Sequence, residues 1–215
     1  MPRAITKTKS IYLDYAATTP VEASILKAMQ PYFHEYFGNP GSLHSFGQKS
    51  SALVFKARQA IAKAIGTSYK EIFFTGSATE ANNLALRGIV KKVKNHELRI
   101  KPKIIVSSIE HESVLETTRD LEREGVEAIY LPVNREGHVD LERLKSSLDE
   151  RTVLVSIMYA NNEIGTIQPI SEIAKIVSDF RKQIANPPAG RAGHKVQSVN
   201  DSRFASSAMP LFHTD

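Results

Sequence analysis

The residues that could do chemistry fall into four short clusters. Gly76-Ser77-Ala78-Thr79 is a run of small and hydroxyl residues between an apolar stretch and a helix-like segment. A helix starting there leaves several backbone N–H groups aimed at one spot, which suits a phosphate. Ser107-Ser108-Ile109-Glu110-His111-Glu112 follows an apolar run, and Asn161-Asn162-Glu163-Ile164-Gly165 follows another. His213-Thr214-Asp215 follows the last. An imidazole titrates near neutrality and suits proton handling, which makes His111 the candidate acid–base group. Each cluster also has a plain structural reading. The turn at 76–79 is a common strand-to-helix connection, His111 can cap a helix, Asn161 and Asn162 can be turn formers, and Asp215 can be frayed. Four such clusters on one rim are less expected by accident than any one alone.

The elements around the clusters set that rim. Ile72, Phe73 and Phe74 read as a buried strand; Gly76 permits a tight turn; Ser77 or Thr79 caps a helix reaching about Lys94. Strands are expected at 104–107, 128–131, 152–158 and 211–212. They alternate with helices at 114–124, 141–148 and 170–184, the last with Ile173, Ile176, Val177 and Phe180 on its inner stripe. This alternation predicts an α/β fold with a mainly parallel sheet covered on both faces. Ligands of such sheets sit beyond the carboxyl ends of the strands, where all four clusters are expected. Upstream, a helix is expected over 21–36, with Ile25, Leu26, Met29 and Phe33 on one stripe. A second runs over 46–65 and is ended by Gly66. Residues 1–10 read as loose. Residues 186–207, rich in Pro, Gly, Ser and Asn, read as a long exposed loop. A strand at 211–212 with no cap behind it reads as a sheet cut short.

Composition narrows the classes. The chain has 215 residues, 41% hydrophobic and 24% charged, enough to bury a core. Its net charge of +5 comes from scattered Lys and Arg, which read as a solvated face; no nucleic-acid partner is expected. There are no cysteines, which excludes disulfides, thiolate metal sites and a cysteine nucleophile within these residues. No metal site is expected. No apolar run approaches a membrane span and the N-terminus lacks an apolar signal core, so no membrane partner and a cytoplasmic location are expected.

Longer stretches carry a family resemblance. YLDYAATTP (12–20), GNPGSLHSFG (38–47), FTGSATEANNLA (74–85), EHESVLET (110–117), LEREG (121–125), VSIMYANNEIGTIQPI (155–170) and FHTD (212–215) occur in order. With them the chain resembles the cysteine desulfurases, in the class V aminotransferase group of fold-type I pyridoxal-phosphate enzymes. The resemblance covers roughly the first half of a family member. It implies a three-layer large domain at 41–215, incomplete, with the long loop at 186–207. Residues 1–40 would belong to a small domain.

The resemblance also implies roles. Ala78 and Thr79 match the turn that holds the phosphate of pyridoxal 5'-phosphate. His111 matches the histidine that stacks on the pyridine ring and handles protons. Asn162 matches the asparagine bonded to the phenolic oxygen, and Asp215 the aspartate under the pyridine nitrogen. Asn82 and Asn83 are expected to support the turn. In the family a mobile-loop cysteine takes sulfur from L-cysteine, giving alanine and an enzyme persulfide that passes to a scaffold or acceptor protein for iron–sulfur clusters or tRNA thiolation. The complete enzyme is a homodimer. Three departures stand out. The turn reads Gly-Ser-Ala-Thr where Ser-Gly-Ala-Thr is usual, the 186–207 connection is longer, and no lysine present matches the cofactor lysine. An inactive N-terminal fragment is therefore expected. Selenocysteine lyase, or a non-catalytic or split protein, is the alternative.

Overall fold

The computed structural model describes residues 11–95, 101–185 and 211–215; the readings for 1–10 and 186–207 lie outside them. The chain divides into two compact units, Met1–Phe74 and Thr75–Asp215.

In the first unit, α1 (Ala23–Met29) and α2 (Pro31–His34) replace the single helix expected over 21–36. The ring of Pro31 cannot donate to the preceding turn, so the helix ends at Gln30 and restarts with proline at its first position. The expected inner stripe is not buried: Ile25, Leu26, Met29 and Phe33 are all exposed. α3 (Ser45–Ile65) matches its expectation closely. His44 accepts the Gly47 N–H at its start, and Gly66, at φ +72°, closes its end. The two outer glycines of the 38–47 stretch have a steric reason. A Cβ on Gly38 would lie 2.4 Å from the Phe46 carbonyl oxygen, and one on Gly47 would lie 2.2 Å from that of Ser42. The first turn of α3 therefore packs backbone to backbone on the loop before it. The strand expected at 72–74 does not form. Ile72 is buried, but Phe73 is 73% exposed, and no strand pairs with this stretch among the described residues. Phe74 instead lies under the Arg58 guanidinium, 5.6 Å from ring centre.

The second unit is a three-layer α/β sandwich. α4 (Ala78–Asn95) leads into β1 (Lys103–Ser107), α5 (Glu112–Arg123) and β2 (Glu127–Leu131). Then come α6 (Leu141–Ser147), β3 (Thr152–Ser156), α7 (Ile170–Ala185) and β4 (Leu211–His213). The four strands are all parallel, in the order β2-β1-β3-β4. β1 and β3 are buried along their whole length, as their uninterrupted apolar runs require. Ile104, Val106, Val153 and Leu154 face the core shared with Leu86, Val90 and Val114 of α4 and α5. Ile105, Val155 and Ile157 face Leu144 of α6 and Ile173 and Val177 of α7. Val153 and Leu154 share a face because the β1–β3 register slips at Lys103/Ile104, leaving one extra residue on β3. α7 turns its expected stripe inward, Ile176 and Phe180 included.

At the amino ends of the strands the buried Lys103 donates to the Asp149 carboxylate at 2.6 Å and the Ser147 carbonyl at 3.0 Å. Arg151 joins Asp149 and Glu127 across the same end. These four charges pair with one another and clamp this end of the sheet.

Gly47→Ala is expected to destabilise the chain by about 2 kcal/mol or more, because backbone must shift to admit the methyl group. Urea unfolding of the two proteins measures it.

Candidate functional site

The chain leaves β1 toward β2 on one side and returns to β3 on the other, so the winding reverses between β1 and β3. At such a point the loops beyond the strands part and leave a crevice. The loop after β1 carries Glu110 and His111, and the loop after β3 carries Asn161 and Asn162. β4 lies parallel beside β3 and delivers Asp215 to the same rim.

Two buried side chains tie these loops together. Glu110, 5% exposed, accepts from the Ser107 hydroxyl at 2.5 Å and from the Met158 N–H at 2.9 Å through Oε1. Asn161, 7% exposed, accepts the N–H groups of Glu163 and Ile164 through Oδ1 and donates to the Ile109 carbonyl at 3.0 Å. Asn161 is thus the turn former, and its neighbour is not. Asn162 is exposed, and among the described residues its amide donates to Glu163 alone, at 3.2 Å. Asp215 is exposed, and its carbonyl accepts from Tyr159 N–H at 3.3 Å.

The turn before α4 is capped reciprocally. Ser77 Oγ accepts the Glu80 N–H at 3.1 Å, and Glu80 accepts the Gly76 N–H at 2.6 Å. The N–H groups of Ser77, Ala78 and Thr79 have no acceptor among the described residues. They form an exposed donor cluster at the positive end of an 18-residue helix, which fits a phosphate. Thr79 and His111 line one depression of about 430 Å³ between α4 and α5, together with Asn83, Ser113 and Thr117.

His111 is both a site candidate and the cap of α5. Its Nδ1 accepts the Ser113 N–H at 3.1 Å and lies 2.8 Å from Ser113 Oγ. Asn83 supports the turn by donating to the Thr79 carbonyl at 3.0 Å. Asn82 does not: it is buried and donates to Ser113 Oγ on α5 at 2.9 Å. Glu110 and Ser113 had no assigned role in the sequence. The signal was their position, in a polar run directly behind the apolar run Ile104-Ile105-Val106.

Electrostatics separate the acids of the rim. Burial pushes the Glu110 carboxyl up to about 7; its two hydrogen bonds oppose this and the Asp215 charge adds to it. Among the described residues Glu110 Oε2 has no hydrogen-bond partner. His213, 2.7 Å from Ser156 Oγ through Nδ1, is pushed below its usual range by burial, with Asp215 acting the other way.

The Glu110 shift carries a pH signature. Its folded value lies above its ordinary one, 4.5, so its contribution is fully present below about 4.5 and is lost as pH rises through about 7. The loss is on the order of 3 kcal/mol. Glu110→Gln is expected to match the parent near pH 4.5 and to exceed its stability near pH 8, measured by unfolding across that range.

Residues 11–185 match the family model described as Aminotransferase class-V. Cysteine desulfurase IscS of Dictyoglomus turgidum (strain DSM 6724 / Z-1310) is 45% identical over 194 residues, covering 90% of this chain and 48% of its own. Cysteine desulfurase IscS of Rickettsia rickettsii (strain Iowa) is 48% identical over 176 residues, covering 81% and 42%. Among solved structures, a NifS-like protein aligns at 36% identity and a TM-score of 0.79 over 95% of this chain and 48% of its own. SspA in complex with cysteine aligns at 36% identity and a TM-score of 0.72 over 79% and 48%. The chain spans about half the length of the curated relatives it matches. With the match running from residue 11 to 185, the chain belongs to the aminotransferase class-V family.

Proposed function

We propose that the complete protein is a cysteine desulfurase that uses pyridoxal 5'-phosphate to release sulfur from L-cysteine, giving L-alanine. The observation that carries this reading is the convergence at the sheet's carboxyl rim. Thr79, last of the three residues with free amides among the described residues, and His111 line one depression, and Asn162 and Asp215 lie beyond the neighbouring strands. The curated relatives named cysteine desulfurase and the neighbour solved with cysteine support the substrate.

The residues present fit the cofactor. The Ser77, Ala78 and Thr79 N–H groups would hold its phosphate, as three donors at a helix start hold an anion. Asp215 would face the pyridine nitrogen and keep it protonated, Asn162 would donate to the phenolic oxygen, and His111 would lie against the ring. Pyridoxal phosphate supplies an electron sink when bound. With Glu110 pushed toward its neutral form by burial, Asp215 would be the carboxylate that answers a pyridinium charge. His111 holds its ring in place through the α5 cap and so orients the group that handles protons.

The same reading assigns residues 1–40 to a small domain and 41–215 to the large, pyridoxal-phosphate-binding domain of the complete protein. These 215 residues contain no cysteine, so the persulfide belongs to a cysteine outside them. An acceptor or scaffold protein for iron–sulfur clusters or tRNA thiolation, a homodimeric assembly and a cytoplasmic setting complete the proposal. No helix among the described residues is long and apolar enough to cross a membrane.

In the complete protein, His111→Ala is expected to lower kcat for alanine formation from L-cysteine about 10²-fold. The 215 residues alone are expected to form no alanine and to yield no borohydride-trapped pyridoxyl-lysine. Alanine production with such a trapped lysine on the isolated chain would overturn that part of the reading. Unaltered kcat in His111→Ala would overturn the role of the ring.

A further inference from the structure

We infer that Ser113, itself held by Asn82, is a positioning residue that fixes the His111 ring with its hydrogen on Nε2. The neutral ring then faces the α4–α5 depression as a hydrogen-bond donor. This deepens the proposed function and rests on it only for what the ring meets there.

The hydrogen positions follow from the donors. The backbone N–H of Ser113 points at His111 Nδ1 over 3.1 Å and has its hydrogen fixed by the peptide plane, so Nδ1 must present a lone pair. Asn82 Nδ2 donates to Ser113 Oγ over 2.9 Å, which occupies an acceptor position of the hydroxyl. The hydroxyl hydrogen is left for Nδ1, 2.8 Å away. With hydrogen on Nδ1 instead, that nitrogen would confront the Ser113 N–H, and Ser113 Oγ would accept two hydrogens while its own had no acceptor. Asn82 and Ser113 are 3% and 8% exposed, so water competes little for either bond. A neutral imidazole carries one hydrogen, and here it resides on Nε2, which has no partner among the described residues. To accept a proton at Nε2 the neutral ring must first change tautomer and give up both bonds at Nδ1.

Loss of one such bond shifts the tautomer ratio about fivefold, the net worth of a neutral hydrogen bond. The test is the pair of His111 ring ¹⁵N shifts in the labelled full chain at about pH 9, above imidazole titration. The parent is expected to show a protonated Nε2 and a bare Nδ1. Ser113→Ala removes the hydroxyl, and Asn82→Asp turns the hydroxyl hydrogen toward residue 82. Both are expected to move the ratio about fivefold toward the Nδ1–H form, and Ser113→Thr is expected to restore the parent shifts. If Ser113→Ala fails to fold, Asn82→Asp, which keeps the serine, carries the test. A parent ring protonated on Nδ1, or a ratio unchanged in Asn82→Asp, overturns the inference. Adding pyridoxal phosphate tests the underlying reading separately, because silent His111 shifts there, with the tautomer effects intact, sink only the cofactor contact.

Discussion

The site depends on the crossing of side chains between the loop after β1 and the loop after β3. Parallel strands fix where these loops begin, but nothing in the ladder fixes where they go once the winding reverses. Glu110 reaches from the first loop to the Met158 N–H of the second, and Asn161 reaches back to the Ile109 carbonyl of the first. The first bond is buried and the second part-buried, and both side chains are buried, so loss of either bond would strand a polar group. The two crossings tie the loop that carries His111, which follows Ile109 and Glu110, to the loop that carries Asn162, which follows Asn161. Side chains that touch no ligand thereby place the side chains that could.

A buried carboxyl in that position has an electrostatic consequence. Two ionised acids at one rim would repel, and the low-dielectric interior would raise the cost. Burial resolves the conflict by moving Glu110 toward its neutral form while Asp215 stays in contact with solvent. The pair is thus differentiated by environment, since the two carboxyls are chemically alike. Burial favours the neutral form of His213 as well, which for a base lowers the pKa, and that neutral ring can share a hydrogen with Ser156.

Much of the second unit could be read from the residues because its pattern is local. β1 and β3 are apolar runs buried on both faces, and the stripe on α7 has the helical period. Gly125, at φ +89°, marks the turn after α5. The first unit was less legible. A stripe at 25, 26, 29 and 33 is amphipathic in sequence yet exposed here, since periodicity reports a face and not what covers it. Phe73 and Phe74 look like a strand until a partner is sought for their ladder. In the site, the residue types were legible and the connections were not. The choice of Asn161 as turn former and Asn162 as exposed amide, and the reach of Asn82 to Ser113 across 31 positions, are set by tertiary placement. Glu110 was visible only as an acid behind a strand, because burial is what distinguishes it.

The two ends of the sheet divide stability from chemistry. At the amino end, Lys103, Asp149, Arg151 and Glu127 satisfy one another, and a charge there has little left to offer a ligand. At the carboxyl end, among the described residues, the polar groups are left incomplete: three free N–H groups at the start of α4, an unpartnered Glu110 Oε2, an open His111 Nε2 and exposed Asn162 and Asp215. Unmet hydrogen-bonding capacity lowers the stability of a fold that does not use it. Its gathering at the carboxyl end of the sheet, opposite an end where Lys103, Asp149, Arg151 and Glu127 pair with one another, is what a binding site requires.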